Sequence, residues 1–212
     1  MPKQAQVSNT VPAEAGRAVL RPGGWPGCRP CSRAGHASAR TCAGSNAKPG
    51  PQNLWLVIVD ASASTRRHQA LAQTKGLLAA LFDQAYRQRA RLALLTASGR
   101  SPQWQRHGLK ASAALQPWLQ ALGAGGGTPL IAALEQARYW LQARQRAHPE
   151  EALRCLVFTD GRLQHWNTVQ PMPCATLLVD MELAPVRLGR AQRLAQQLQA
   201  DYQHLQQFRL VD

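Results

Sequence analysis

Three short polar clusters in this 212-residue chain combine residue types that together could hold a hard cation. The first is Asp60-Ala61-Ser62-Ala63-Ser64, the second is Thr128 at the end of a glycine run, and the third is Asp160 within Thr159-Asp160-Gly161. Every candidate donor, Asp60, Ser62, Ser64, Thr128 and Asp160, offers oxygen. Carboxylates with compact hydroxyls suit Mg2+, with Mn2+ as the alternative, in an octahedral shell that keeps several waters. The set contains no His or Cys, so zinc is not expected there. The i, i+2, i+4 spacing from Asp60 to Ser64 lets alternate side chains turn toward one centre. Gly125, Gly126 and Gly127 let the backbone approach where Cβ atoms would block it. Each cluster also has a plainer use: Ser62, Ser64 or Thr128 can cap a helix, and Asp160-Gly161 can be a turn. Independent capping gives no reason for the clusters to converge, and convergence is what a site needs. A cation balanced by two carboxylates still attracts an anion, so the chemistry on offer is capture of an acidic group from another protein.

The elements around these clusters place them at chain reversals. Residues 54–59 (LWLVIV) form a continuous apolar run ending on Asp60, as expected of a strand buried on both faces in a parallel sheet. Leu71, Leu77, Leu78, Leu81, Phe82 and Ala85 then recur at helical spacing. Residues 91–96 (RLALLT) read as the next strand, residues 97–102 as a polar turn, and residues 104–108 as a short strand. Ser112 can cap a helix to about Leu122, where the glycines break it. Thr128 is placed to cap a helix running to about Ala147, with Pro129 in its first turn. Residues 153–158 (LRCLVF) and 175–179 (ATLLV) are two more buried strands, closing on Asp160 and Asp180. A helix over about 187–200 and a short strand near 202–205 complete the chain. Alternating strands and helices specify an α/β fold, doubly wound, with a mostly parallel central sheet flanked by helices. In such sheets, sites form at the carboxyl ends of the strands beside the point where strand order reverses, which is where Asp60 and Asp160 should meet.

The organisation is one domain over residues 53–212 behind a tail over residues 1–50. The tail is rich in Pro, Gly, Ser, Ala and Arg without helical or strand period, so it cannot bury enough surface to offset its ordering entropy and reads as disordered. Within it, Cys28, Cys31, His36 and Cys42 stand as C-x2-C-x4-H-x5-C, which is close to a zinc-knuckle spacing or else an incidental set of cysteines. Cys155 and Cys174 fall in or beside apolar strands. Five cysteines so distributed do not make a disulfide framework and suit a reducing compartment. No stretch approaches the roughly 20 apolar residues of a membrane span, and no apolar signal segment opens the chain. A cytoplasmic location is therefore expected, without membrane contact. The net charge is +14, of which residues 1–50, with seven basic residues and one acid, contribute +6. The excess is spread along the chain and no nucleic-acid motif accompanies it, so nucleic-acid binding is not expected.

The pattern D-x-S-x-S at Asp60, Ser62 and Ser64, with Thr128 in GGGTPL and Asp160 in FTDGR, resembles the metal-ion-dependent adhesion site of von Willebrand factor A domains. The resemblance covers roughly residues 53–205. It implies that Ser62, Ser64 and often Thr128 bind Mg2+ directly, while Asp60 and Asp160 commonly act through water. The wider wording, VDASAST, QTKGLL, AYRQRARLALL, GAGGGTPL and LVFTDGR, looks like the C-terminal domain of the magnesium chelatase D subunit and related cobaltochelatase subunits. That likeness implies an ATP-driven complex for tetrapyrrole metallation. It also implies an AAA+ ATPase partner docked through an acidic residue and, beyond it, a large chelatase subunit. Where that family carries an ATPase-like module and an acidic, proline-rich linker, residues 1–50 here are short and basic. No lysine follows a glycine as a phosphate loop requires, so no nucleotide cofactor site is expected.

Two functions follow: an adaptor subunit of a chelatase-like complex, or a free-standing adhesion-type module unrelated to tetrapyrroles. Catalysis by this chain itself is not expected, since His68, His107, His148 and His165 are placed in helices or loops and form no Ser/His/acid set. Deleting residues 1–50 should leave the thermal unfolding transition nearly unchanged, measured by calorimetry on the full and shortened chains. Loss of cooperative unfolding would show that the tail contributes to the fold.

Overall fold

The computed structural model describes residues 52–61, 70–110, 115–122, 129–163, 166–184 and 188–208. Ten elements follow one another: β1 (Asn53–Asp60), α1 (Ala70–Arg87), β2 (Arg91–Ser98), β3 (Ser101–Lys110), α2 (Gln116–Ala121), α3 (Leu130–Ala147), β4 (Ala152–Thr159), β5 (Ala175–Asp180), α4 (Arg190–Leu198) and β6 (Asp201–His204). They form a six-stranded sheet in the order β3-β2-β1-β4-β5-β6. All pairings are parallel except β2 with β3. The chain goes from β1 outward to β2 and β3, then returns to lay β4 on the other side of β1. The reversal of strand order therefore lies between β1 and β4.

Alternation along β1 explains its uninterrupted apolar run. Trp55, Val57 and Val59 enter the core on one face, while Leu56 and Ile58 enter the core on the other. The first face is covered by α1 and α2, which contribute Leu78, Leu81, Phe82 and Leu119. The second is covered by α3, whose stripe of Leu130, Ala133, Leu134, Ala137 and Leu141 has helical spacing, and by α4 through Ala191, Leu194, Ala195 and Leu198. Between β4 and β5, no regular element appears among the described residues from Asp160 to Cys174. Leu163, Val169 and Met172 nonetheless enter the second core from that connection. Trp166 Nε1 donates to Gln197 Oε1 of α4 at 2.9 Å, and the Met172 N–H donates to the Leu198 carbonyl at 3.1 Å.

Several boundaries differ from the sequence expectation for identifiable reasons. The strand expected over 104–108 extends over all of Ser101–Lys110, because the turn is only Gly99-Arg100, with Gly99 at φ +71°. His107 therefore lies on a strand, not on a helix or loop. The helix expected to be capped by Thr128 starts later: Pro129 occupies the cap position, without a side-chain cap, and Leu130 opens α3. The helix expected from about 187 opens at Arg190, because Gly189 at φ +64° turns the chain immediately before it. Ser112 and the tail with Cys28, Cys31, His36 and Cys42 lie outside the described residues. Of the two described thiols, Cys155 is buried and Cys174 is partly buried against the core. Cys155 is buried in β4 and its thiol is raised well above its ordinary value by burial, while burial pushes Cys174 up to about 11. Among the described residues, no helix is long and apolar enough to cross a membrane.

The opposite end of the sheet is held by a charged clamp at the α3–β4 connection. Arg144 donates from Nε to Glu151 Oε2 at 2.7 Å and from Nη2 to Oε1 at 2.6 Å, and the Glu151 side chain is only 7% exposed. That bidentate pair holds the Glu151 carboxyl below its ordinary range, chiefly through the Arg144 hydrogen bonds. A carboxylate lowered in the folded state adds stability above its unfolded value, about 4.3, and loses it as pH falls through the folded value. Glu151→Gln should cost about 1–3 kcal/mol at neutral pH. The gap from wild type should close as pH falls below the ordinary carboxylate range, measured by urea denaturation across pH. A gap independent of pH would assign the clamp's effect to packing.

Candidate functional site

Because β1 and β4 are neighbours in register, with Val59 beside Phe158, the residues that follow each strand emerge together. Asp60 ends β1 with no exposed surface, and Asp160 follows the last residue of β4 and is also buried. Between them stands Thr159, whose Oγ1 donates to Asp60 Oδ2 at 2.8 Å. The same hydroxyl oxygen accepts the Gly161 N–H at 3.0 Å, so one threonine links the Asp60 carboxylate to the loop after β4. Asp160 in turn accepts the Arg162 N–H on Oδ1 at 3.1 Å, closing a turn around its own side chain. Both carboxylates are thus oriented by hydrogen bonds before any ligand arrives.

The turn at Gly161 requires glycine. Its φ is +65°, and a Cβ placed there would stand 2.6 Å from the Ala191 nitrogen and 2.9 Å from the Ala191 Cβ. Helix α4 therefore packs directly on the loop that carries Asp160, and Arg190 of its first turn donates from Nη1 to the Leu163 carbonyl. Further along the same end of the sheet lies a second group of buried polar residues. Asp180 accepts the Glu182 N–H at 2.8 Å and the Tyr202 hydroxyl at 2.7 Å. The Gln206 N–H donates to His204 Nδ1 at 3.3 Å, which leaves the proton on Nε2 to be donated to the Glu182 carbonyl at 2.9 Å. The main-chain ladder also continues past the strand ends, with Met181 N–H on the Thr159 carbonyl and Leu205 N–H on the Asp180 carbonyl, both at 2.8 Å.

Of the five residues the sequence singles out, the structure brings Asp60 and Asp160 to adjacent strand ends, while Ser62, Ser64 and Thr128 lie outside the described residues. Among the described residues, no three His, Cys, Asp or Glu side chains gather as metal ligands. The donors described here fit a hard cation in kind, being carboxylate oxygens at the carboxyl ends of parallel strands. They would need hydroxyl and water oxygens to complete a shell. Sequence reasoning missed Thr159, Arg162, Glu182 and His204. A signal existed for Glu182, since a chain with only 11 acidic residues places Asp60, Asp160, Asp180 and Glu182 all at strand ends.

The strand order is 3-2-1-4-5-6 with one antiparallel edge, and the profile of the von Willebrand factor type A domain matches residues 55–162. The chain belongs to this family. Among solved structures, this von Willebrand factor A domain resembles BatB from Bacteroides thetaiotaomicron, with a TM-score of 0.51 at 14% identity over 71% of this chain and 89% of that one. It also resembles the SpRpn10 VWA domain, with a TM-score of 0.51 at 12% identity over 72% of this chain and 87% of that one. At these identities the likeness is one of fold. A curated relative, the uncharacterized protein Rv2850c of Mycobacterium tuberculosis, is 29% identical over 179 residues, covering 73% of this chain. The chain spans 26% of that relative's length. Gly161→Ala should destabilise the domain by at least about 2 kcal/mol, since a left-handed conformation and a backbone collision are both imposed. Equilibrium urea denaturation measures it; a cost below 0.5 kcal/mol, the usual scatter of surface changes, would mean that α4 gives way freely.

Proposed function

We propose that this domain is a Mg2+-dependent protein-docking module, with Asp60, Ser62, Ser64, Thr128 and Asp160 as its cation site. The observation that carries the reading is the placement of two buried, pre-oriented carboxylates at the carboxyl ends of β1 and β4, on either side of the reversal in strand order. Mg2+ bound there would supply a positive centre for an acidic side chain of a partner. The chain's own residues do the rest: Thr159 holds Asp60, the Arg162 N–H holds Asp160, and Gly161 keeps the loop against α4. In the finer form of this reading, the partner is an AAA+ ATPase of the magnesium or cobalt chelatase type, and the domain acts as an adaptor in tetrapyrrole metallation. The wording VDASAST, GAGGGTPL and LVFTDGR is what supports that form.

Asp60→Asn tests the site without opening a hole, because an amide oxygen can still accept from Thr159 while the charge is gone. In EDTA the variant should unfold close to wild type. In excess Mg2+ the wild type should gain stability, by about 2.7 kcal/mol at 100 times Kd, and the variant should gain none. Partner capture from native extract, with and without Mg2+, should fall in parallel, and the captured proteins identify whether a chelatase-type ATPase is among them. Equal stabilisation of both proteins by Mg2+ would remove Asp60 from the cation site. Mg2+-dependent capture without any chelatase subunit would leave the docking module and discard the tetrapyrrole assignment.

A further inference from the structure

The loop that carries Asp160 is tied to a buried residue from a neighbouring strand end. Glu182 lies two residues past the end of β5, and its side chain is 2% exposed. Its main chain is fixed on both sides, the N–H donating to Asp180 Oδ1 and the carbonyl accepting from His204 Nε2. Its Oε2 accepts the Leu188 N–H at 2.8 Å. Its Oε1 has no hydrogen bond among the described residues and lies 3.6 Å from Nη2 of Arg162. A buried carboxylate oxygen left without a hydrogen bond is costly, and the guanidinium is the charge that offsets it. Arg162 is also the residue whose main-chain N–H orients the Asp160 carboxylate. One residue therefore faces Asp160 with its backbone and Glu182 with its side chain.

We infer that Glu182 is a positioning residue of the cation site: by holding the Arg162 side chain, it fixes the loop that aims Asp160. The inference rests on the cation-site reading above. It differs from that reading in predicting that a residue on β5's side of the sheet, which offers no donor to the cation, sets how tightly the cation is held. Partners that orient metal-binding carboxylates act this way, and their loss weakens metal binding by about 10- to 100-fold.

Mn2+ is the probe, since the free ion is counted directly by its electron paramagnetic resonance spectrum. The full chain would be titrated as wild type, Glu182→Gln, Arg162→Gln, the double variant and Asp60→Asn. Glutamine at 182 keeps an acceptor for the Leu188 N–H and removes only the charge that holds Arg162. Each single variant should weaken Mn2+ binding by about 10- to 100-fold, and the double variant should be no weaker than the weaker single, because both act through one contact. Melts in EDTA separate this from a merely structural role, which would lower apo stability while leaving the affinity of the folded protein unchanged. Wild-type affinity in Glu182→Gln or in Arg162→Gln, or additive losses in the double variant, overturns the positioning role and leaves the cation site standing. If wild type binds Mn2+ no better than Asp60→Asn, the cation site falls and this inference falls with it.

Discussion

A strand buried on both faces that ends in a buried carboxylate needs a hydrogen-bond donor at that spot. Asp60 is in this position, and the donor comes from Thr159, 99 residues further along the chain. The bond is available because β4 lies beside β1 in parallel register, and that pairing in turn requires the chain to reverse its direction of winding after β3. The apolar run of β1, the return of the chain through α3 and the placement of Asp160 are thus parts of one constraint. If β4 lay elsewhere, the buried Asp60 would lose the Thr159 donor.

The distribution of charge follows the same logic. The chain carries +14 overall, yet Asp60, Asp160, Asp180 and Glu182 are all buried at one end of the sheet. Helices α1, α3 and α4 begin at that end, so their positive termini favour negative charge there. Among the described residues, these carboxylates meet the hydroxyls of Thr159 and Tyr202, main-chain N–H groups and the Arg162 guanidinium. At the far end the solution is different, since Glu151 is held by the fork of Arg144. A bidentate, hydrogen-bonded ion pair holds that end, while at the carboxyl end hydrogen bonds to hydroxyls and main-chain N–H groups act beside the longer approach of Arg162 to Glu182.

The fold was legible in the sequence because its signals are local. The run at β1, the helical stripe of α3 and the apolar strands at β4 and β5 each announce themselves within a few residues. Asp60 and Asp160 were legible for a similar reason, each standing where such a run stops. Helix starts were less so: Gly189 and the cap at Pro129 open α4 and α3 later than periodicity and the capping pattern at Thr128 had placed them. The Thr159 bond to Asp60 and the approach of Arg162 to Glu182 depend on strand order, which no local pattern encodes. Glu182 two residues after Asp180 reads as an ordinary loop acid until His204 of β6 meets its carbonyl and Arg162 approaches its side chain.

The connection from β4 to β5 is built differently from the helical crossovers through α3 and α4. A helical crossover opens as a unit, because each of its turns supports the next. The described residues from Asp160 to Cys174 have no such ladder and are fastened at separate points, by Trp166 to Gln197, by Met172 to Leu198 and by Arg190 to Leu163. Separate fastenings can release one at a time, so amide exchange is expected to be faster in this stretch than in β1, even though Leu163, Val169 and Met172 are buried. Asp60 and Asp160 therefore stand on either side of the junction between two units, the continuous ladder of β1 and the crossover after β4. A ligand shared by both would join the two units, and much of its effect would appear as slower amide exchange in the crossover rather than as any change in the sheet.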